Sequence, residues 1–294
     1  MTLSIALVTS SYRGDFERCR LLCDSVDRFV TGQAVHYILV EAADLPLFRS
    51  LEGPGRRVLC ERELLPRWLW PIPDPLDGKR RLWLSPFGLP LRGWHVQQLR
   101  RIAMGAGMAE DVLVSLDSDV VFVRPFDAGH FVSGEAVRFY RRADGMGHVE
   151  PARRAEHERW SRRAAALLGL ALDPIPEPTY ITTLIAWRRD TVRAMLERIG
   201  EVTGRSAMRA LVASRALSEC TIYGRFVDEV ENRPDRHLPT GERLCAVYWD
   251  GPPLDEAGLR AFLDALSPEQ VALGLQSFTG TDPGLIRRIV GLAG

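Results

Sequence analysis

Residues 111–126, DVLVSLDSDVVFVRPF, constrain the fold more than any other stretch of the chain. Val112, Leu113, Val114 and Leu116 form a short, almost unbroken run of β-branched and leucine side chains. That is the pattern of a strand buried on both faces of a parallel sheet. Asp117, Ser118 and Asp119 then interrupt it. Burying an unpaired charge in an apolar interior costs several kcal/mol, so the two carboxylates are expected where the strand leaves the sheet. Open α/β sheets bind their ligands at that edge. In an extended backbone, residues i and i+2 point the same way, so Asp117 and Asp119 can converge on one hard cation. The expectation is a divalent metal held against a phosphate-bearing ligand.

The segments before it alternate. A strand is expected over 3–9, a polar turn over 10–14, and a helix over 15–30 whose Phe16, Cys19, Cys23, Val26 and Val30 recur every three or four residues. A strand at 35–40, a short helix at 44–51 capped by Asp44 with Pro46 in its first turn, and a strand at 57–60 follow. Such β-α-β-α-β alternation predicts a parallel sheet with right-handed crossovers. Between 66 and 92, Trp68, Trp70, Trp83 and several prolines break any period, which reads as a long irregular loop. Gly93 then opens a helix over 94–108 that leads into the aspartate strand.

Beyond Pro125, strands are expected at 135–140 and 184–187, helices at 151–172, 190–202 and 218–230, the last capped by Ser218. Segments 244–249 and 271–276 read as edge strands, and 255–266 and 283–292 as terminal helices. Arg153, Arg154, Arg159, Arg162 and Arg163 crowd the start of the 151–172 helix, either as a solvated face or as a peripheral contact with an anionic membrane. With 294 residues, 46% hydrophobic and 26% charged, and a formal net charge of zero, the chain reads as a soluble globular protein. It lacks the basic stripe of a nucleic-acid binder. An odd set of cysteines without C-x-x-C spacing suits a reducing cytosol, so a cytoplasmic protein, peripheral at the inner face of the membrane at most, is expected. The N-terminus reads as a strand rather than a signal peptide.

Gly93-Trp94-His95-Val96-Gln97-Gln98-Leu99 followed by Leu116 to Phe126 resembles a set of bacterial proteins of the GT-A glycosyltransferase clan, in which a G-W-x-x-Q-Q-L helix precedes an L-D-S-D-V-V-F-V-R-P-F strand. The likeness takes in 8–12, 183–188, Ser218-Glu219 and Tyr223-Gly224, and so spans most of the chain. It implies a single GT-A unit, α/β with a Rossmann-like, mostly parallel sheet, residues 1–127 forming the nucleotide-sugar and metal half and 128–294 the acceptor half. It implies transfer of a sugar from a nucleoside diphosphate donor, a UDP-sugar, to a saccharide or other hydroxyl acceptor, with Mn²⁺ or Mg²⁺. By this resemblance Asp119 is the direct metal ligand, and Asp117 and Ser118 contact the donor or a metal-bound water. Thr9, Ser10, Tyr12 and Asp15 would hold base and ribose, and Trp94 and Gln98 would line the donor site. Glu219 is the candidate base or acceptor contact. Each has a plainer reading beside it: Ser10 a turn, Asp15 a helix cap, Trp94 a core position, Glu219 compensation of a helix dipole. Many GT-A enzymes add a histidine ligand near the C-terminus, whereas Gln276-Ser277-Phe278 offers none and His237 falls in a proline-flanked loop.

Two other readings stay open. Asp117-Ser118-Asp119-Val120-Val121 also fits the D-x-D motif of haloacid-dehalogenase-like phosphatases, although the motif is mid-chain, Lys79 precedes it, and the downstream acidic pair Asp228-Glu229 lies within a helical pattern. A non-catalytic nucleotide-sugar-binding protein is the other.

Overall fold

Five strands make the central sheet, in the order Ile185–Arg188, Val112–Asp117, Ile5–Ser10, Val35–Val40 and Arg56–Cys60. The last four run parallel to one another, and Ile185–Arg188 closes the sheet antiparallel to Val112–Asp117. This computed structural model describes residues 3–292, except for the side chains of 78 and 79, so Lys79 lies outside the described side chains.

Alternating residues of the two inner strands pack on opposite faces, which is why both read as nearly continuous apolar runs. Ala6, Val8 and Leu113 face the helices Gly93–Gly107 and Arg189–Thr203, with Leu99, Ile102, Val192 and Met195 in the same core. Ile5, Leu7, Val112, Val114 and Leu116 face the other way, toward Leu22 and Val26 of the helix Phe16–Phe29. All five cysteines are free and buried, and Cys19 and Cys23 sit in a small core with Ile38, Val40 and Phe48.

The fold is therefore α/β, but it is not one mostly parallel sheet. Four smaller sheets of two or three strands accompany the central one. In one of them Ala272–Leu275 lies between Cys245–Tyr248 and Val120–Phe122, so the segment expected at an edge is the middle strand. Another replaces the expected irregular loop: Trp70–Asp74 and Asp77–Leu84 form an antiparallel hairpin, extended by Leu91–Arg92. Prolines 71 and 73 hid the strand in the sequence, yet an outer strand tolerates them because its outward N–H groups need no partner. Trp83 anchors the hairpin and is fully buried.

Asp44 does not cap the helix Leu45–Phe48; its carboxylate instead accepts the Arg13 backbone N–H at 2.9 Å and the Arg13 Nε–H at 3.1 Å. Ser218 does cap its helix, accepting from the Thr221 N–H. That helix, Glu219–Arg225, continues as one π-helical stretch, Phe226–Glu231, ended by Asn232 in the left-handed region. His237 is on a strand rather than in a loop, buried with its Nε2 3.0 Å from the Tyr223 hydroxyl.

Candidate active site

The aspartate strand ends at Asp117, and Ser118 and Asp119 form a turn before Val120–Phe122 joins a different sheet. The two carboxylates therefore do not alternate along one extended strand, as the sequence suggested. Asp117 points to the side of the helix Gly93–Gly107, where Arg101 donates to its Oδ1 at 3.2 Å. Arg101 also donates to Glu219 Oε1, so one guanidinium joins two carboxylates from distant parts of the chain. Gln98, one turn earlier on the same helix, accepts the Glu219 backbone N–H at 3.1 Å, and its Nε2 is buried without a partner. Burial pushes the Glu219 carboxyl up, and Arg101 pulls it back.

Asp119 turns toward the start of the helix Phe16–Phe29. Burial, then the nearby charges of Asp117 and Asp15, push its carboxyl up to about 7, while Arg18 and the Ser277 backbone amide act to hold it down. Its Oδ1 is buried with no hydrogen-bond partner. Asp15 is likewise raised by burial, with the nearby Ser277, Arg18 and Ser118 acting to lower it. Arg18 itself is buried and committed elsewhere, donating to the carbonyls of Leu275 at 2.9 Å and Thr281 at 2.6 Å. The result is a patch of two carboxylates, Asp15 and Asp119, with Asp117 near enough to repel Asp119, beside a guanidinium already committed to carbonyls. A divalent cation fits this deficit: it would take the orphaned Asp119 oxygen as a ligand and relieve the repulsion. Among the described residues no three His, Cys, Asp or Glu side chains are grouped as a metal cage. Mg²⁺ is commonly held by one or two carboxylates, with phosphate and water completing the shell.

A cavity of about 850 Å³ opens at the carboxyl ends of the first two strands, between the hairpin and the N-terminus of the Trp94 helix. Tyr12 and Trp94 reach into it half exposed, and Pro71, Ile72 and Leu76 of the hairpin add apolar wall. Arg13, Arg80, Arg81, Arg92 and Arg100 supply its positive lining. Arg81 and Arg100 are drawn to Glu41, at 3.0 and 4.0 Å. The Tyr12 ring occupies the space that a Cβ on Gly14 would take, which fixes why glycine follows it.

Tyr12 and Trp94 thus line the cavity; Asp15, Ser118 and Asp119 form the carboxylate patch with Ser277; Asp117, Gln98 and Glu219 gather around Arg101. Thr9 is brought to neither group. Its hydroxyl is buried 3.0 Å from His36 Nε2. Ser10 is buried at the strand end opposite Asp117, its hydroxyl unpartnered. Sequence reasoning passed over Arg101 and Arg18. For Arg101 the available signal was a charge with no acidic partner one turn away to answer it, and for Arg18 it was Asp15 three residues earlier.

Asp228 and Glu229, the acidic pair of the phosphatase reading, lie on the π-helical stretch, held by Arg141 and Tyr180 and by Arg225 respectively. Along the basic helix Pro151–Leu168, Arg154 and Arg162 share Glu158, and Arg163 turns inward to the Ala210 carbonyl. No helix among the described residues is long and apolar enough to cross a membrane.

No curated protein matches the chain. A family profile matches residues 1–270, which include Asp117, Asp119, Arg101 and Glu219. The chain belongs to DUF6492, a family of unknown function.

Proposed function

We propose that the protein is a metal-dependent glycosyltransferase of the GT-A type, which moves a sugar from a nucleoside diphosphate donor, a UDP-sugar, to a hydroxyl acceptor. The observation that carries this reading is the buried, unpartnered oxygen of Asp119 at the end of the central strand, with Asp117 and Asp15 close enough to repel it. Four parallel strands with one antiparallel neighbour support it, since ligands of open α/β sheets lie beyond the carboxyl ends of the strands. A cavity of about 850 Å³ with aromatic and arginine lining suits a nucleoside diphosphate.

In this reading Asp117, drawn aside by Arg101, contacts a metal-bound water, and Asp119 directly holds the cation. When bound, it stabilises the negative charge that develops on the departing diphosphate. Tyr12 and Trp94 offer aromatic faces to the base, and Arg13, Arg80 and Arg92 offer charge to phosphate oxygens. With its Oε1 engaged by Arg101, Glu219 serves first as the anchor of the guanidinium that orients Asp117.

A thermal-shift panel of UDP, GDP, CDP and ADP, with and without Mn²⁺, tests the reading. At about 100 Kd a ligand adds roughly 2.7 kcal/mol of stability. One nucleotide should give a shift that Mn²⁺ enlarges, and Asp119→Asn should lose the Mn²⁺-dependent part alone. If no nucleotide shifts the wild type, the reading fails; if the Mn²⁺ part survives in Asp119→Asn, Asp119 is not a ligand. Hydrolysis of the matching nucleotide sugar separates an enzyme from a binding protein.

A further inference from the structure

Two large aromatic side chains stand open to solvent on the loops that leave the Ala272–Leu275 sheet. Phe278 is 70% exposed and Trp249 is 49% exposed. Rings of this size normally supply core or interface area. Cys245–Tyr248 and Ala272–Leu275 run parallel with Tyr248 opposite Leu275, so the chains leave the sheet together. The loops beyond stay side by side. The Gln276 N–H meets the Tyr248 carbonyl at 3.4 Å, and further on the Leu254 N–H meets the Thr281 hydroxyl at 3.0 Å.

The same strand is tied to the aspartate turn. Ala272–Leu275 pairs with Val120–Phe122, and the Leu275 N–H donates to the Asp119 carbonyl at 3.0 Å. Ser277 then lies close enough to Asp15 and Asp119 to hold both carboxyls down. Phe278 follows immediately in the chain, exposed to solvent, with Trp249 on the neighbouring loop. A pyranose ring has one face of C–H groups and a rim of hydroxyls. Aromatic rings gain dispersion contact with the first, and carboxylates accept hydrogen bonds from the second.

We propose that Trp249 and Phe278 form the platform on which a pyranose ring of the acceptor stacks, its rim hydroxyls turned toward the carboxylate patch. This rests on the glycosyltransferase reading and deepens it, naming the acceptor as a saccharide bound by its ring face.

The test uses the full chain with a nucleotide sugar that the wild type hydrolyses, and a panel of methyl α- and β-glycosides as acceptors. Trp249→Ala and Phe278→Ala should leave the nucleotide thermal shift and acceptor-free donor hydrolysis unchanged. Each should raise the acceptor KM on the order of tenfold with little change in kcat, the size expected for losing one stacked aromatic face. Trp249→Phe and Phe278→Tyr, which keep a ring, should stay near wild type. Unchanged acceptor KM in both alanine variants overturns the platform and leaves the glycosyltransferase reading standing. So does intact hydrolysis with transfer to none of the glycosides. A wild type that neither hydrolyses nor transfers any nucleotide sugar removes the underlying reading, and the platform with it.

Discussion

Asp117 and Glu219 share one guanidinium, that of Arg101, which donates to Asp117 Oδ1 at 3.2 Å and to Glu219 Oε1 from its other terminal nitrogen. Glu219 and Arg101 are mostly shut off from water, whereas Asp117 is half exposed. Arg101→Met therefore strands a buried charge, Glu219, rather than only freeing a surface one. A loss of roughly 3–5 kcal/mol is expected, measured by urea denaturation at neutral pH. Adding Glu219→Gln should recover most of it. A loss within roughly 1 kcal/mol, the range of a surface pair, would show that Glu219 is better solvated than its burial indicates.

His36 is buried, with its Nε2 3.0 Å from the Thr9 hydroxyl, and burial pushes its pKa down to about 3. An unfolded histidine titrates at about 6.5, so between these values the unfolded chain binds a proton that the folded chain does not. The stability from neutral His36 is complete above the unfolded value. It is lost at up to about 1.4 kcal/mol per pH unit as pH falls below it, until the folded value is reached. Comparing denaturation at pH 7 and pH 5, His36→Gln should show a shallower acid loss than wild type; identical slopes would contradict the burial.

Asp119 carries the opposite sign. Its folded pKa is raised to about 7, above the unfolded carboxylate value of about 3.9, so its contribution is complete below the unfolded value and is lost as pH rises through the folded one. Without metal, Asp119→Asn should match wild type near pH 4 and be more stable at pH 8 by a few kcal/mol. Nucleotide with Mn²⁺ should narrow that gap, because the Mn²⁺-dependent part of the stabilisation belongs to the wild type alone. Equal stabilities at pH 8 without metal would mean that Asp119 is not strained by its neighbours.

Trp83 is fully buried at the root of the hairpin that walls the cavity, with the Arg100 guanidinium 5.4 Å from its ring centroid. Trp83→Ala should cost about 3–5 kcal/mol. It should also shrink the nucleotide thermal shift, because Ile72, Leu76, Arg80 and Arg81 are carried by the same hairpin. Leu76→Ala at the exposed tip should change stability by no more than about 0.5 kcal/mol. A destabilised Trp83→Ala variant with a full nucleotide shift would separate the hairpin from the ligand.

Much of the sheet was legible, because strands buried on both faces must be apolar throughout: 35–40 is the strand as expected, and the aspartate strand is interrupted where its charges begin. The hairpin was hidden, since prolines and tryptophans erase a period-two signal that only pairing restores. Around the site, the acidic residues announced themselves by interrupting apolar runs. The pairing of Arg101 with Glu219 did not, because the two lie 118 positions apart and no local pattern records such a meeting. The turn at Ser118 was also invisible, and it decides that Asp117 and Asp119 face different helices.

Because Ile185–Arg188 is the outer partner of the aspartate strand, the later part of the chain completes the earlier one. A fragment ending at residue 127 would keep Ile5–Ser10 on one side of Val112–Asp117 but leave its other edge a bare row of amides and carbonyls. Such an edge invites self-association, so the two halves cannot be expected to survive being parted by a protease or by a cloning boundary.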